Sequence, residues 1–337
     1  MPSVYRQAAP TPIAGEEVPI VNDPIDALIS SGDPSADAYL LRAIPQQVRG
    51  YRLATAASAD ELHRYIPGAR VLLAWGVPVD ILRLATRLEW LQVIGTGVDG
   101  LAPAKDLLRN VTVTNIRGVF SRPIAEYVVT YALAHLQRLR RVLSQQRDHA
   151  WAPFPPERLE GKTVGIVGLG SVGTEIARLC SALGARVIGM RGTKGPAPHV
   201  ERVYAMEEIA AFLPQCDVLV LALPATPRTR DFMSLERLAM LKPSAFVVNV
   251  GRGSALPAAN LVTALDRGLL AGAAVDVFEE EPLPKHSPLW DRENVFVTPH
   301  VSGINRPEDI AGPIVENLRR FAAGDPLLNV VDLDRGY

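Results

Sequence analysis

Residues 164–173 read VGIVGLGSVG, an apolar strand pattern that ends in the spacing G-x-G-x-x-G. The helical pattern Thr174–Leu183 follows directly. In a strand–turn–helix unit of this kind, Gly168 permits the tight turn, Gly170 lets the backbone approach a pyrophosphate, and Gly173 lets the helix pack closely on the strand. A glycine pattern alone is often a plain turn, but this context predicts a dinucleotide-binding unit.

The rest of the chain continues the alternation of short apolar runs and helical patterns, which is typical of βαβ units and parallel sheets. In the second half the predicted strands are Thr163–Val167, Arg186–Met190, Val218–Leu223, Ala245–Val250, Ala273–Phe278 and Val295–Thr298. In the first half they are Val18–Val21, Arg52–Thr55, Val71–Ala74, Leu91–Ile94 and Val111–Thr114. The strands of the second half are almost continuously apolar, as expected for strands buried on both faces.

Helical patterns separate these strands. In the first half the predicted helices are Ser35–Ile44, Ala59–Tyr65 and Val79–Leu88. Residues 124–143 form the longest helical pattern, and Pro307–Ala323 predicts an amphipathic helix that ends at Gly324. The sequence therefore predicts two α/β units: the first spans about 18–120, the second has the larger sheet, and the long helix joins them. Residues 1–17 are rich in proline and predict a loose arm.

The composition excludes several classes of protein. The 337 residues carry 35 Lys and Arg against 36 Asp and Glu, and this nearly neutral charge gives no support for a nucleic-acid partner. Cys180 and Cys216 are too few for a disulfide framework or a cysteine-based zinc site, and no other metal-ligand pattern occurs, so we expect no metal. No apolar segment has the length of a membrane span or of a signal-peptide core, so we expect no membrane contact and a cytoplasmic location.

The residue that ends the second strand of a dinucleotide-binding unit discriminates between cofactors, because a carboxylate there binds the ribose 2′-hydroxyl of NAD. This chain has Arg191 at that position, followed by Thr193 and Lys194. The two cationic side chains would attract the 2′-phosphate of NADP, and the missing carboxylate removes a repulsion. A solvated basic loop is the alternative interpretation. We expect NADP(H) to be preferred, with NAD(H) possible.

Three successive strands of the second half end in polar residues, which are Arg252, Glu281 and His300. The carboxyl ends of strands in a doubly wound sheet face the ligand crevice, so we expect these side chains beside the nicotinamide. Arg252 could then bind the carboxylate and carbonyl oxygens of a 2-oxo acid. His300 could donate a proton as hydride arrives, while Glu281 fixes its tautomer and favours the protonated ring. Taken singly, each residue has a structural interpretation; their combination favours catalysis.

These residues lie in a stretch, 161–303, that resembles the D-isomer-specific 2-hydroxyacid dehydrogenases, of the glyoxylate/hydroxypyruvate reductase type. The resemblance rests on GKTVGIVGLGSVGTEIARLCSALGARVIGM from residue 161, LKPSAFVVNVGRGSAL from residue 241 and NVFVTPHVSG from residue 294. The Arg, Glu and His of that family match the three residues above in order and spacing. More weakly, LQVIGTGVDG at 91–100 resembles the family's substrate loop, so the amides of Gly97 and Val98 are expected to hold the substrate carboxylate.

The resemblance also implies an architecture and a set of contacts. It implies a Rossmann NAD(P)-binding domain at 121–303 and a flavodoxin-like substrate domain at 1–120 and 304–337, both doubly wound, in a homodimer formed through the interdomain helix. Asp276 would bind the nicotinamide carboxamide. The expected cofactor contacts are Gly168, Gly170, Ser171, Val172, Gly173, Arg191, Thr193, Pro224, Thr229, Val250, Asp276 and His300. The expected substrate contacts are Gly97, Val98 and Arg252.

The sequence thus predicts an oxidoreductase that reduces a small 2-oxo acid, resembling glyoxylate or hydroxypyruvate, to the D-2-hydroxy acid. An NAD-dependent dehydrogenase running in the oxidative direction stays open. A dinucleotide-sensing binding protein of the corepressor type is a second alternative, although such relatives carry additional interaction segments. A formate-type dehydrogenase is disfavoured by Glu281, because direct hydride loss from formate needs no proton donor.

Overall fold

The computed structural model describes residues 25–193, 195–303 and 306–336, so the predicted arm and the predicted strand Val18–Val21 lie outside the described residues. The contacts between residues divide the chain into two units. The first is Met1–Val119 with Asn305–Tyr337, and the second is Phe120–Ile304.

The first unit is built on a parallel sheet. Its strands are β1 (Ile25–Ser30), β2 (Tyr51–Thr55), β3 (Val71–Ala74), β4 (Trp90–Val93) and β5 (Thr112–Thr114). Its helices are α1 (Pro34–Gln47), α2 (Ala59–Tyr65), α3 (Val79–Leu84) and, at the end of the chain, α10 (Pro307–Ala323). The strands pair in the order β2-β1-β3-β4-β5, which is the flavodoxin-like doubly wound order.

A buried polar network anchors α10 to this sheet. The indole N–H of Trp90 donates to Thr114 Oγ1 at 2.7 Å, and the Thr114 hydroxyl donates to Gln92 Oε1 at 2.9 Å. Asn317 on α10 donates to the same Gln92 oxygen at 3.1 Å. Because buried polar groups are costly unless they are paired, this network specifies where the C-terminal helix lies on the strands of the first unit.

The second unit has a larger parallel sheet. Its strands are β6 (Thr163–Val167), β7 (Arg186–Met190), β8 (Arg202–Tyr204), β9 (Val218–Leu221), β10 (Phe246–Asn249), β11 (Gly272–Val275) and β12 (Val295–Val297). Its helices are α4 (Ser121–Leu136), α5 (Leu139–Arg147), α6 (Ser171–Ala182), α7 (Ile209–Phe212), α8 (Leu235–Leu238) and α9 (Ala258–Asp266). The order β12-β11-β10-β9-β6-β7-β8 is that of a Rossmann sheet with one added strand, and its switch point lies between β6 and β9.

The structure corrects the prediction of one long helix at 124–143. The helix is interrupted after α4, where Arg138 adopts a left-handed φ of 53°, and α5 then starts at Leu139. Contacts distant in sequence hold both sides of this break: Gln137 donates to the carbonyl of Glu157 at 2.7 Å, and Arg140 donates to the carbonyl of Val295 at 2.5 Å. Neither glycine nor proline marks the position, so the local pattern gave no indication of it.

Smaller differences concern short elements. The strands β1 and β8 were not predicted, and β8 is a short edge strand that begins at the exposed Arg202. The predicted helix Val79–Leu88 ends at Leu84. None of the helices in the described part of the chain has the length and apolarity needed to cross a membrane. The same residues contain no group of three or more His, Cys, Asp or Glu that could hold a metal ion.

The stability of the second unit should depend on pH through His135. Its ring stacks on Phe246 with centroids 4.2 Å apart, and burial lowers the pKa of His135. A lowered pKa means that the unfolded chain takes up the proton first, so stability is lost as the pH falls below about 6.5. We expect His135→Phe, which keeps the stacking, to lose fewer degrees of thermal midpoint between pH 7.5 and 5 than the wild type loses, as measured by circular dichroism.

A matched control is His286→Gln, because His286 is exposed and its replacement should leave the pH dependence of the midpoint unchanged. Equal losses of midpoint in His135→Phe and in the wild type would show that His135 does not contribute to the acid sensitivity.

Candidate active site at the strand ends

The glycine turn after β6 has the geometry of a phosphate cradle. Gly168 has a φ of 101°, and a Cβ there would lie 2.4 Å from the carbonyl oxygen of Ala222. A Cβ at Gly173 would lie 1.9 Å from the carbonyl oxygen of Gly168, so α6 packs directly on the turn. At Gly170, by contrast, a Cβ would meet no atom within 4 Å, which leaves open space beside the N-terminus of α6. The residues therefore fit a dinucleotide pyrophosphate, since the first-turn amides of Ser171, Val172 and Gly173 can donate to it.

The loop after β7 is closed by Arg191. The Arg191 Nε donates to the carbonyl of Thr193 at 2.9 Å, and Nη2 donates to the carbonyls of Gly195 and Pro196 at 3.1 and 3.2 Å. The side chain thus braces the loop that it begins. Its predicted contact with a 2′-phosphate stays a prediction.

The predicted cofactor residues Pro224 and Thr229 share one turn after β9. The Thr229 hydroxyl donates to the carbonyl of Pro224 at 2.6 Å and accepts from the amide of Thr226 at 2.9 Å. Thr229 is buried by these contacts, so its clearest role in the structure is to fix the turn. Val250 follows β10, and its amide donates to the carbonyl of Leu221.

The loop that carries Arg252 is held by close backbone approaches. A Cβ at Gly251 would lie 2.6 Å from the backbone N and O atoms of Leu223, and a Cβ at Gly253 would lie 1.9 Å from the carbonyl carbon of Phe278. The buried Asn249 side chain adds two hydrogen bonds, to the amide of Gly251 and the carbonyl of Arg252. Because glycines flank Arg252, its loop can lie directly against the loop that follows β9 and the loop that follows β11.

Glu281 and His300 form an acid–histidine pair in the structure. Glu281 Oε1 accepts from the amide of Phe278 at 2.8 Å, and Glu281 Oε2 lies 2.8 Å from His300 Nδ1. Since Gly253 abuts Phe278, contacts run from the Arg252 loop through Phe278 and Glu281 to His300. Nδ1 donates when it carries a proton, which leaves Nε2 as the nitrogen that can face a substrate.

Asp276 lies immediately after β11 and is completely buried. Its carboxylate accepts from the Thr298 hydroxyl at 2.5 Å and from the amides of Val301 and Ser302 at 2.9 Å each. The backbone carbonyl of Asp276 also accepts from the amide of His300 at 2.9 Å. Asp276 therefore organises the turn that carries His300, and its predicted contact with the nicotinamide stays a prediction.

The predicted substrate loop belongs to the first unit, where it follows β4. Asn115 donates to the carbonyl of Thr96 at 2.9 Å, and the amide of Ile116 donates to the carbonyl of Gly95, so β5 and its loop brace this segment. Within the described part of the chain, the amides of Gly97 and Val98 have no acceptor, which leaves both able to bind a carboxylate. Trp75 is half-exposed beside the same loop. A Cβ at Gly95 would lie 3.8 Å from its ring.

The structure thus brings Arg252, Glu281 and His300 together in one unit, at the edge where the glycine turn also lies. Sequence reasoning missed Tyr127, on α4, whose hydroxyl contacts the Thr298 hydroxyl at 2.7 Å. Thr298 was visible as a polar residue at a strand end, just before His300, but no pattern in the sequence points to Tyr127.

Comparison with known proteins identifies the class that this fold and site define. The family model described as "D-isomer specific 2-hydroxyacid dehydrogenase, NAD binding domain" matches residues 129–302. Glyoxylate/hydroxypyruvate reductase A of Photorhabdus laumondii is 30% identical over 271 residues, which cover 79% of this chain and 87% of that protein.

Comparison with solved structures leads to the same family. A D-isomer specific 2-hydroxyacid dehydrogenase family protein from Aeromonas salmonicida superposes with a TM-score of 0.85 at 35% identity, covering 92% of this chain and 99% of that chain. The NADPH-dependent glyoxylate/hydroxypyruvate reductase of Sinorhizobium meliloti, in complex with NADP and sulfate, has a TM-score of 0.85 at 29% identity, with coverage of 93% and 100%.

The fold and the comparisons define an NAD(P)-dependent oxidoreductase with a Rossmann domain and a flavodoxin-like domain. The chain belongs to the D-isomer-specific 2-hydroxyacid dehydrogenase family, and it is similar to glyoxylate/hydroxypyruvate reductases.

Proposed function

We propose that this enzyme reduces a small 2-oxo acid, of the size of glyoxylate or hydroxypyruvate, to the D-2-hydroxy acid, with NADPH as the preferred reductant. The observation that carries the proposal is the 2.8 Å contact between His300 Nδ1 and Glu281 Oε2, beside the loop of Arg252. An acid–histidine pair with an arginine in the adjoining loop suits proton transfer to an anionic carbonyl substrate.

Each residue then has one task. Arg252 binds the carboxylate and the carbonyl oxygen of the substrate through its planar fork of N–H donors. His300, protonated and held by Glu281, donates the Nε2 proton to the carbonyl oxygen and becomes neutral. A nicotinamide dinucleotide bound at the glycine turn would supply the hydride for the carbonyl carbon. The product is the 2-hydroxy acid, and in the oxidative direction neutral His300 acts as the base.

The two units divide the binding tasks in this proposal. Phe120–Ile304 binds the dinucleotide through the glycine turn, and the other unit binds the substrate carboxylate through the amides of Gly97 and Val98. A relative named as a glyoxylate/hydroxypyruvate reductase supports a small substrate side chain, and a neighbour solved with NADP supports the cofactor. The basic end of β7 at Arg191, where NAD-binding members place a carboxylate, points the same way.

We also propose that the enzyme is a homodimer formed through α5 and the segment after it. No residue of α5 is buried, although it carries Leu139, Val142 and Leu143, and Trp151 farther along is 96% exposed. An apolar face of this kind marks a protein–protein contact, and the resemblance to homodimeric family members makes a second copy of this chain the occupant.

His300→Ala should lower kcat for the reduction of glyoxylate or hydroxypyruvate by about 10²- to 10⁴-fold, because the proton donor is lost. The measurement is the loss of reduced-nicotinamide absorbance against a panel that also contains pyruvate and phenylpyruvate. The control His286→Ala, an exposed residue with no role in the proposed chemistry, should retain full activity. If the wild-type protein binds a dinucleotide tightly but turns over none of the 2-oxo acids, the corepressor-type alternative would be favoured instead.

Arg191→Asp should lower the ratio of kcat/KM with NADPH to kcat/KM with NADH by about tenfold or more, because a phosphate partner becomes a repulsive carboxylate. The measurement is kcat/KM for each cofactor, obtained by varying the cofactor at one fixed concentration of the 2-oxo acid. Arg202→Asp, at an exposed arginine on the neighbouring strand, is the control and should leave the ratio unchanged. An unchanged ratio in Arg191→Asp would contradict our interpretation of the loop.

Leu143→Glu should weaken the dimer by at least about tenfold, because it places a charge in an apolar contact. Sedimentation equilibrium over a range of protein concentrations measures the dissociation constant. Leu107→Glu introduces the same charge at an exposed leucine of the other unit and should leave the dimer intact. A wild-type protein that stays monomeric at every concentration would overturn this part of the proposal.

A further inference from the structure

The buried Asp276 makes several hydrogen bonds with the turn that carries His300. Three consecutive amides, those of His300, Val301 and Ser302, all donate to Asp276, the first to its backbone carbonyl and the other two to its carboxylate. The successive amides of Val301 and Ser302 converge on the Asp276 carboxylate, as backbone N–H groups do in an anion-binding turn. The backbone of His300 has a φ of 54°, which is unfavourable for a residue with a Cβ and needs the surrounding contacts to persist.

A chain of hydroxyl groups completes the binding of this carboxylate. The Thr298 hydroxyl donates its only proton to Asp276 Oδ1 at 2.5 Å. The Tyr127 hydroxyl lies 2.7 Å from Thr298 Oγ1 and must therefore be the donor of that hydrogen bond. Burial raises the pKa of Tyr127, so the phenol keeps the proton that it donates. The order of donation is thus Tyr127 to Thr298 to Asp276.

We propose that Tyr127 and Thr298 are positioning residues for His300, acting through Asp276 on the backbone of the turn that carries it. This inference rests on the proposed role of His300 in proton transfer. The Tyr127 hydroxyl binds that of Thr298, which binds the Asp276 carboxylate. The carboxylate in turn accepts from the amides of Val301 and Ser302, which directly follow His300, and so orients the turn and the ring that it carries. Glu281 then selects the orientation of the ring from the other side, at Nδ1.

Loss of the Thr298 hydroxyl should displace the turn that carries His300. Removing the Thr298 hydroxyl leaves one carboxylate oxygen of Asp276 with fewer donors in a site without exposure to solvent. The carboxylate would shift to recover a partner, and the amides of Val301 and Ser302 would move with it. A displacement of about 1 Å at a proton donor can lower the rate by about 10²-fold.

The test compares Thr298→Val, Thr298→Ser and Tyr127→Phe. We expect Thr298→Val to lower kcat by about ten- to a hundredfold, with KM for NADPH changed less than about twofold. Thr298→Ser, which keeps the hydroxyl, should restore most of kcat, and Tyr127→Phe should lower it by a smaller factor than Thr298→Val. The matched control is Tyr131→Phe, one turn along the same helix, which should behave as the wild type.

A second measurement does not depend on turnover. In protein labelled with ¹⁵N-histidine, NMR should show the Nδ1–H of His300 hydrogen-bonded and slow to exchange in the wild type, Thr298→Ser and Tyr131→Phe, and faster to exchange in Thr298→Val and Tyr127→Phe. If Thr298→Val fails to fold, which its thermal midpoint will show, Tyr127→Phe decides the question because its phenyl ring keeps the packing.

Wild-type kcat and wild-type Nδ1–H exchange in Tyr127→Phe and Thr298→Val would overturn the positioning role. A His300→Ala variant with undiminished turnover would instead overturn the proposed function, and the exchange rates would still decide whether the hydroxyl chain orients the ring. A loss of kcat that Thr298→Ser does not restore would also contradict the proposal, because it would attribute the effect to packing rather than to the hydroxyl.

Discussion

Parallel pairing of the seven strands in the second unit is the constraint on which the site depends. Because every strand runs in the same direction, every carboxyl end lies at the same edge of the sheet. Gly168, Arg191, Arg252 and His300 follow β6, β7, β10 and β12, so residues far apart in the sequence reach that edge without any element dedicated to catalysis. The candidate site is therefore formed by the few residues after each strand, while the strands themselves supply the apolar core.

The loops at this edge are held to one another mainly by their backbones. Gly251 and Gly253 allow the Arg252 loop to touch Leu223 on one side and Phe278 on the other, at distances that a Cβ would forbid. Buried polar side chains also hold these loops in place. Asn249 binds the Arg252 turn, and Asp276 binds the His300 turn. The loops of Arg252 and His300 are thus held by residues other than those two, and such support is the condition for a preorganised site.

The parts of this structure that depend on local patterns could be predicted from the sequence. The strand, glycine turn and helix around Gly168 occupy consecutive residues. Arg252, Glu281 and His300 each lie within three residues of the end of a predicted strand. The break at Arg138 could not be predicted, because distant carbonyls hold it and no helix-breaking residue occurs there. The contact between Tyr127 and Thr298 joins residues 171 positions apart, and only the folded chain brings them together.

In the loop after β7, the conformation of Arg191 matters as well as its charge. Arg191 uses its Nε and Nη2 donors on carbonyls of its own loop, so among the described residues only the two N–H groups of Nη1 are left for a phosphate. These hydrogen bonds restrict the guanidinium, so less side-chain entropy would be lost if a 2′-phosphate bound to it. An arginine that braces its own loop in this way would bind a phosphate by preorganisation as well as by charge. Specificity for NADP in this enzyme would then depend on the conformation of the whole loop, and not only on the sign of the charge at its first residue.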